Sequence, residues 1–477
     1  MWWPTISCTG AALRPAQIRW PARPTERETM FLRRAPAPRS CNNWNDLILF
    51  VSTRGKAIVK ALACWTAWAL TANVLWAPPA TAGEVEVLHF WTSPGEAKSV
   101  VQLKELIGVR GHTWKDFAVV GGGGQNAMTA LKQRVQAGNP PASATIKGPA
   151  VQEWASLNTL ANLDAMATFE HWDDVLPKVV QEHVKYRGHY VAVPVNIHRV
   201  NWLWTNSEVL RKSGVQAVPA TIEELFAAAD KIKASGFVPV AHGGQPWQDF
   251  VLFESMALGV GGADFYRRAF MKLEPAALAG SDMKRTLEAF RRVKAYTDAK
   301  SRGRDWNVAT DMVIQGKAAF QFMGDWAKGE FFAAGRQPGR DFTCSAAPGS
   351  AGTFSYVIDT FAMFQLRNWE AQKAQGYLAY VLGGEKFQEQ FNMRKGSIPV
   401  RMDVRLDNFD ECARDSRRDF DATSKSETLV PSVAVDMALP TSTQAALRAV
   451  ISDFWNNDGM PVSEATVRLL QASMPRK

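Results

Sequence analysis

The alternation of apolar and polar residues is clear at residues 85–90, where it predicts a short β-strand. A turn follows at 92–95, and Glu96 lies in the first turn of a predicted helix, where the helix dipole tolerates a carboxylate. The strand ends in the aromatic pair Phe90 and Trp91. This arrangement suits a sugar, because ring C–H groups lie on aromatic faces and hydroxyl groups donate to carboxylates. The alternative is two core aromatics and a helix-terminal charge.

Four glycines at 121–124 separate a predicted strand at 117–120 from a predicted amphipathic helix at 125–137. A glycine run between strand and helix is typical of phosphate-binding loops. However, the chain has neither G-K-[ST] there nor a G-x-G-x-x-G followed by a ribose-binding acid. We therefore predict that these glycines let the backbone line a cleft.

Further polar residues fall at or near the ends of predicted extended segments. They are Lys147 in the strand 144–149, Asp325 and Trp326 in 320–326, Asp359 in 354–360 and Lys395 in a loop at 392–400. Ligands of open α/β sheets collect at strand ends, where a cation could contact a hydroxyl or a carboxylate. A lysine at such a position is also commonly only solvated.

The remaining pattern predicts two more extended segments and several helices. The extended segments are 189–195 and 201–206, and the helices are 151–157, 208–214, 221–235, 246–257 with Trp247 in its first turn, 282–300 and 444–455. The helix at 221–235 begins with a capping box of Thr221 and Glu224. The last hundred residues are predicted to be largely helical.

The net charge of +9 is concentrated at the start of the chain, since residues 1–83 carry +7. The remainder is close to neutral, which argues against a nucleic-acid partner. Basic residues at 54–60, an apolar run at 61–76 and Ala80-Thr81-Ala82 form the parts of a secretory signal. We predict a signal peptide at 51–82, cleavage after Ala82 and a periplasmic location.

Residues 1–50 do not belong to such a signal, and we interpret them as disordered or as an over-extended gene start. A basic tail that binds a membrane or nucleic acid is the alternative. Cys344 and Cys412 are the cysteines beyond residue 82, and in an exported protein they predict one disulfide, with two buried thiols as the alternative. About 395 residues follow the signal, too many for one ordinary core, so we expect two lobes.

Motifs for catalysis are largely missing from the sequence. It has no H-E-x-x-H, no G-x-S-x-G and no histidine group with metal-ligand spacing, so we predict no metal site and no cofactor. Glu96 with Asp325 or Asp359 could form a glycosidase pair. The same carboxylates beside tryptophans fit sugar binding equally well, and the residues alone do not decide between the two.

Six segments closely resemble motifs of bacterial periplasmic glucose/mannose-binding proteins, which are family 1 extracellular solute-binding proteins that serve ABC sugar importers. The segments are HFWTSPGE, VVGGGGQNAMTALK, AGNPPASATIKGPAVQEWA, MGDWAKGEF, SYVIDTFAMF and RKGSIPVR. The resemblance extends over about 84–477. It implies an α/β, two-lobe periplasmic binding protein fold (type II), in which each lobe is a mixed sheet flanked by helices and the ligand cleft lies between the lobes.

The implied N-terminal lobe is 84–195 plus about 355–395, and the C-terminal lobe is about 200–350 plus about 400–477. The implied hinges lie near 194–200 and 350–360. The resemblance implies a binding protein, not an enzyme, that captures a monosaccharide or small sugar and delivers it to an inner-membrane ABC permease. We expect a monomer.

The resemblance also assigns sugar contacts to Phe90, Trp91, Glu96, Lys147, Trp326, Asp359 and Lys395. Together with Trp247, Val357 and Val435 they form the predicted sugar-binding set. At Val357 and Val435 the family has polar residues, so two hydrogen bonds to a sugar are expected to be lost here, each worth on the order of 1 kcal/mol. The departure suits a sugar that lacks those hydroxyls, such as a deoxy sugar, and it leaves glucose and mannose less certain than the class of small sugars.

Overall fold

A computed structural model describes residues 82–474. The predictions for 1–50 and for the signal peptide therefore lie outside the described residues, apart from Ala82 itself. The strands, in chain order, are β1 Glu84–His89, β2 Thr113–Ala118, β3 Ser143–Lys147, β4 Lys185–Tyr186, β5 His189–Tyr190, β6 Ala192–Pro194, β7 His198–Arg199, β8 Trp202–Asn206, β9 Val238–Val240, β10 Ala318–Phe322, β11 Phe342–Ala346, β12 Phe354–Val357, β13 Asp359–Met363 and β14 Leu429–Pro431.

Helices occupy most of the remaining described chain. They are α1 Pro94–Gly108, α2 Gln125–Gln136, α3 Pro149–Ser156, α4 Asp164–Phe169, α5 Trp172–Val175, α6 Lys178–Val184, α7 Ser207–Lys212, α8 Ile222–Ala234, α9 Pro246–Tyr266, α10 Pro275–Leu278, α11 Ser281–Lys294, α12 Trp306–Ile314, α13 Lys328–Ala333, α14 Trp369–Gly383, α15 Glu385–Lys395, α16 Glu411–Thr423, α17 Thr441–Asn456 and α18 Val462–Ser473. Within residues 82–474, no helix has both the length and the apolar character needed to cross a bilayer.

The first large sheet has the strand order β2-β1-β3-β13-β6. Strand β1 is parallel to β2 and β3, while β13 is antiparallel to β3 and β6. Helices α1, α2 and α14 pack against its strands, which buries Val85, Val87 and Leu88 completely. Because β13 runs opposite to β3, its first residue, Asp359, lies directly beside Lys147 at the end of β3. The sheet thus brings both charges to the edge where β1 ends.

The second large sheet has the order β11-β8-β10-β9, with β8 antiparallel to β10 and β11. Helices α7, α8, α9 and α12 contact it. The long helix α9 is buried from Trp247 to Leu258, since α11 and α17 pack on it as well. The helix predicted to end at 257 continues to Tyr266, with a break at Gly262, whose φ is +69°.

Two chain segments pass between the large sheets, and they pair with each other. The chain leaves the first sheet after β6, forms β7 and enters the second sheet at β8; it returns from β11 through β12 to β13. Strands β7 and β12 pair antiparallel, and β14 adds to β12 in parallel. Strands β7 and β12 fall within the segments predicted as hinges, 194–200 and 350–360, whereas β14 does not.

The single strand predicted at 354–360 is wrong. The chain breaks at Ile358, so that β12 belongs to the small crossing sheet and β13 to the first large sheet. At the break, the backbone N–H of Asp359 donates to the side chain of Asn196 at 3.0 Å. The backbone N–H of Val195 in turn donates to the carbonyl oxygen of Asp359 at 3.0 Å.

The loop predicted around Lys395 is also wrong, because Lys395 is the last residue of helix α15. The helix ends at Gly396, whose φ of +95° is a left-handed conformation that glycine adopts without strain. A Cβ on Gly396 would lie 2.3 Å from the carbonyl oxygen of Asp325, so the contact itself requires glycine. The amphipathic helix predicted to reach 300 ends at Lys294, although the predicted inner residue Tyr296 is still buried.

Cys344 on β11 and Cys412 in α16 form a disulfide in the structure, with their Cα atoms 6.0 Å apart. It ties the edge strand of the second sheet to a helix 68 residues further along the chain.

We expect peptide mapping of the purified, unreduced protein to recover the Cys344 and Cys412 peptides as one cross-linked species. Reduction before digestion should separate them, since a native disulfide persists in an oxidising compartment. Alkylation of both cysteines without prior reduction would contradict this pairing.

Candidate functional site: a cavity between the two large sheets

All ten residues of the predicted set line one cavity of about 200 Å³. The first sheet contributes Phe90 and Trp91 after β1, Lys147 and Asp359, together with Glu96 and Lys395 from α1 and α15. Trp247 in the first turn of α9 and Trp326 after β10 come from the side of the second sheet, and Val357 and Val435 come from the crossing region. The structure therefore brings together residues that lie up to 345 positions apart in the sequence.

Glu96 and Lys395 form a buried ion pair in the cavity wall, with Nζ donating to Oε1 at 3.0 Å. Glu96 is held by the capping box of α1, in which the hydroxyl of Ser93 donates to its Oε2 at 3.1 Å. The Lys395 ammonium also lies 5.4 Å from the centre of the Trp91 ring. The site thus presents a fixed anion and a fixed cation beside an aromatic face.

The ammonium group of Lys147 contacts an aromatic ring and a backbone carbonyl oxygen. Its Nζ is 4.9 Å from the centre of the Phe90 ring and donates to the carbonyl oxygen of Gly123 at 3.2 Å. Gly123 has a φ of +59°, and a Cβ there would lie 3.0 Å from the indole of Trp247. Gly121 and Gly123 both line the cavity, in agreement with the interpretation that the glycine run lets the backbone approach a cleft.

His198 is the cavity residue that the sequence interpretation missed most clearly. It lies on β7 with its ring buried between two carboxylates: Nδ1 contacts Asp325, and Nε2 is 3.3 Å from Oδ2 of Asp359. The other oxygen of Asp325 accepts from the backbone N–H of Arg199 at 2.8 Å, and the Trp326 ring meets the imidazole edge-on at 5.4 Å. The histidines were considered only as metal ligands, and a lone histidine between the predicted extended segments 189–195 and 201–206 gives no sign of its two carboxylate partners.

His198 and Asp359 shift each other's pKa, and Asp325 also acts on the pKa of His198. Burial alone would lower the pKa of His198, but the charge and hydrogen bond of Asp325, with Asp359, outweigh it and raise the pKa above its usual value. Burial alone would raise the pKa of Asp359, but His198, Lys395 and Lys147 hold it well below its usual range. The cavity floor therefore favours the protonated form of His198 beside an ionised Asp359.

The two valines lie in the cavity wall formed by the crossing region. Val357 ends β12, and Val435 follows β14 in a turn whose backbone is held by Glu254. Val357 and Val435 are 2% and 5% exposed. Val357 and Asp359 line the same cavity although they lie on different strands, β12 and β13.

Gln245, Asp305, Trp306 and Asn307 form a further part of the lining that was not predicted. Trp306 is the first residue of α12, and Gln245 links this rim to the predicted set because it accepts from the indole N–H of Trp247 at 2.9 Å. These residues were not predicted because the sequence Asp-Trp-Asn at 305–307 resembles any ordinary helix start. The additional aromatic face widens the apolar surface available to a ligand.

The geometry favours binding over hydrolysis. Asp325 does not line the cavity, and both of its carboxylate oxygens are engaged. Glu96 is paired with Lys395, and Asp359 is held in the ionised form, whereas a glycosidase needs one carboxylic acid that stays protonated. Among residues 82–474, no group of three or more His, Cys, Asp or Glu side chains could hold a metal ion.

Comparison with known proteins places the chain in a family. Residues 111–381 match the family described as bacterial extracellular solute-binding protein. A probable sugar-binding periplasmic protein of Rhizobium meliloti (strain 1021) is 43% identical over 408 residues, which cover 85% of this chain and 98% of that protein. One of the same description from Brucella suis biovar 1 (strain 1330) is 43% identical over 401 residues, covering 83% and 94%.

A solved chitin oligosaccharide binding protein has the same fold, with a TM-score of 0.68 at 16% identity over 82% of this chain and 98% of that one. The predicted α/β periplasmic binding protein fold is thereby confirmed. Proteins of the matched family bind solutes and are not enzymes, which removes the glycosidase alternative. The chain belongs to the bacterial extracellular solute-binding proteins.

Proposed function

We propose that this chain is the periplasmic sugar-binding component of an ABC-type importer, and that it captures a monosaccharide or small sugar in the cavity between its two large sheets. One observation carries the proposal: the ten residues selected for sugar binding from the sequence converge on one cavity. The sugar-binding description of the Rhizobium and Brucella relatives supports the same class of ligand.

The lining supplies what a small sugar requires. Phe90, Trp91, Trp247 and Trp326 offer apolar faces to ring C–H groups, while Glu96, Lys147, Asp359 and Lys395 offer charged hydrogen-bond partners to hydroxyls. A cavity of about 200 Å³ lies below the roughly 300–1,000 Å³ typical of drug-sized ligands, which favours a single ring in this space.

The lobes that enclose the sugar are proposed to be 84–195 with about 355–395, and about 200–350 with about 400–477. The crossing strands β7 and β12 would act as the hinge about which the lobes close, and the closed form would dock on the inner-membrane permease as a monomer. Export would end with cleavage after Ala82.

Titration calorimetry of the purified protein with a panel of hexoses, pentoses and deoxy sugars tests the proposal. We expect saturable binding of at least one sugar, together with a shift of tryptophan fluorescence, because three tryptophans of the predicted set line the cavity. Amino acids and polyamines serve as the comparison panel. Binding of one of those, with no response to any sugar, would reject the proposal.

More specifically, we propose glucose or mannose as the ligand, and substitutions of Val357 and Val435 test this choice. We expect Val357→Asn combined with Val435→His to raise the affinity for glucose or mannose by tenfold or more. Each recovered hydrogen bond is worth about 1 kcal/mol, and about 1.4 kcal/mol corresponds to tenfold in Kd. Calorimetry on the double variant and on each single variant measures the effect, and each single change should give less.

Val430→Asn is the matched control, because Val430 lies on β14 of the same crossing sheet, is fully buried and does not line the cavity. It should lower the melting temperature and leave sugar affinity unchanged. A stable double variant with no gain for either sugar would contradict the assignment of these positions. Tighter binding of deoxy sugars than of glucose by the unmodified protein would replace glucose and mannose with that class.

A further inference from the structure

Three helix ends meet at the Glu96–Lys395 pair, and they come from both sides of the cavity. Glu96 lies in the first turn of α1 and Lys395 is the last residue of α15, both on the side of the first sheet. Helix α13 begins at Lys328, two residues after Trp326, on the side of the second sheet. We call the place where residues 93–96, 328–330 and 394–396 meet the three-helix junction.

Glycine residues allow the three helix ends to approach closely. A Cβ on Gly95 in α1 would lie 2.7 Å from the carbonyl oxygen of Gly329 in α13. A Cβ on Gly329 would in turn lie 3.1 Å from the carbonyl oxygen of Arg394 in α15. Helix α13 is therefore packed against both of the helices that carry the Glu96–Lys395 pair.

Glu330 is the carboxylate that α13 brings to this junction, and it is 7% exposed. Its Oε1 accepts from the backbone N–H of Gly95 at 2.9 Å. The first N–H groups of a helix have no partner within the helix, and a carboxylate suits that end of the helix dipole. The capping box of α1 satisfies the N–H groups of Ser93 and Glu96, so Glu330 satisfies the one at Gly95 from the other side of the cavity.

The contact with Gly95 connects predicted sugar contacts on the two sides of the cavity. Trp326 lies four residues before Glu330 in the chain, and Glu96 directly follows Gly95. Glu330 itself does not line the cavity. A shift of α13 relative to α1 would move Trp326 relative to the Glu96–Lys395 pair, so the hydrogen bond between Glu330 and Gly95 fixes the spacing of groups that hold the sugar.

The charge of Glu330 matters less than its acceptor oxygen. Burial raises the pKa of Glu330 and the charge of Glu96 adds to this, although hydrogen bonds from Ser93 and Gly95 and the charge of Lys395 act against it. A neutral amide in place of the carboxyl group would keep an acceptor for Gly95 and remove the repulsion from Glu96. Glutamine is therefore the conservative replacement at this position.

We propose that Glu330 is a positioning residue for sugar binding: by accepting from Gly95 across the three-helix junction, it holds Trp326 and the Glu96–Lys395 pair at the spacing that the sugar requires. Glu330 acts through these residues and does not touch the ligand. This inference deepens the proposed sugar-binding function and rests on it.

Titration calorimetry and stopped-flow tryptophan fluorescence test the inference with D-glucose, D-mannose, D-galactose, D-xylose and L-fucose. For the sugar that the unmodified protein binds most tightly, we expect Glu330→Met to lower the affinity about tenfold, mainly through faster dissociation. Methionine has a similar length but no carboxyl oxygen for Gly95. Glu330→Gln keeps that acceptor and should retain the affinity within about threefold. Glu330→Ala takes the place of Glu330→Met if the methionine variant does not fold.

Glu224→Met is the matched control, because Glu224 also accepts from backbone N–H groups at a helix start, those of Ala220 and Thr221, and does not line the cavity. It should leave the affinity unchanged. Equal affinities of Glu330→Met and the unmodified protein would overturn the inference, and so would an equal loss in Glu330→Gln or in Glu224→Met. An unmodified protein that binds no sugar would instead overturn the proposed function itself.

Discussion

Lys395→Met is expected to reduce sugar affinity by at least 100-fold. The ammonium of Lys395 is 3% exposed and donates to Glu96 at 3.0 Å in the cavity wall, beside Trp91. The substitution removes one charged donor to the ligand and releases Glu96 from its fixed position. A hydrogen bond to a charged group is worth about 1.5–3 kcal/mol, so the loss of two such interactions amounts to about 3 kcal/mol or more.

The same substitution should also destabilise the protein, because it leaves a buried carboxylate without its partner. Breaking one partner of a buried pair typically lowers the free energy of unfolding by about 3–5 kcal/mol. Calorimetry gives the affinity, and urea unfolding monitored by fluorescence gives the stability. Glu96→Gln with Lys395→Met removes both charges together, and it should recover part of the stability without recovering the affinity.

Lys373→Met serves as the control, since Lys373 is an exposed residue of α14 beside Trp369 and does not line the cavity. It should change neither affinity nor stability measurably. If the Lys395→Met protein folds and binds its sugar as tightly as the unmodified protein, the pair has no part in ligand binding. The cavity assignment would then have to be revised.

Most of the fold could be predicted where the local sequence pattern agrees with the way in which the element packs in the structure. The strand at 85–90 follows from alternation and the next helix from Glu96 in its first turn, and the structure has both, with a capping box at Ser93 that was not predicted. The helix at 222–234 begins at its predicted capping box of Thr221 and Glu224. These elements are set by neighbours in sequence, so the sequence alone predicts them well.

The misplaced elements are those that depend on distant residues. The break at Ile358 exists because β12 pairs with β7 and β14, while β13 pairs with β3 and β6. Alternation within 354–363 carries no sign of that change of sheet. Similarly, Lys395 sits at a helix end because Gly396 must approach the carbonyl oxygen of Asp325, a contact between positions about 70 residues apart.

In the site, too, some features could be predicted from the sequence, and others depend on contacts between distant residues. The predicted set has ten residues, nine of them chosen from the resemblance to glucose/mannose-binding proteins and the tenth Trp247. The structure brings all ten to one cavity, although β3, β13, α9 and α15 position them from far-apart segments. It did not select His198, because a lone histidine in an extended segment indicates nothing until its two carboxylate partners are known. Asp325 and Asp359 lie 127 and 161 positions further along the chain.

The role of His198 leads to the second large effect: His198→Gln is expected to lower the free energy of unfolding by about 3–5 kcal/mol near pH 5.5. A neutral amide cannot balance Asp325 and Asp359, which are 2% and 4% exposed. Because the pKa of His198 is raised in the folded protein, its stabilising effect is complete below the unfolded pKa of about 6.5 and is lost as the pH rises through the folded pKa.

The difference between the two proteins should therefore be largest at pH 5–6, should shrink as the pH rises above about 6.5 and should be lost once the pH passes the folded pKa of His198. Asp359 does not contribute to this trend, because its pKa is lowered and its stabilising effect is already complete above its unfolded pKa of about 3.9. His89, His112 and His183 have lowered pKa values, but both proteins contain them and their effects cancel in the difference.

Urea unfolding from pH 5 to pH 9, compared with His189→Gln, measures this trend. His189 forms an exposed contact with Asp164, and exposed pairs contribute at most about 1 kcal/mol, so the control should stay close to the unmodified protein at every pH. Parallel stability curves for His198→Gln and the unmodified protein would show that no imidazolium stabilises the cavity floor. Stability curves that converge as the pH rises would show that a charged residue of the crossing strand β7 holds Asp359 in place for the ligand.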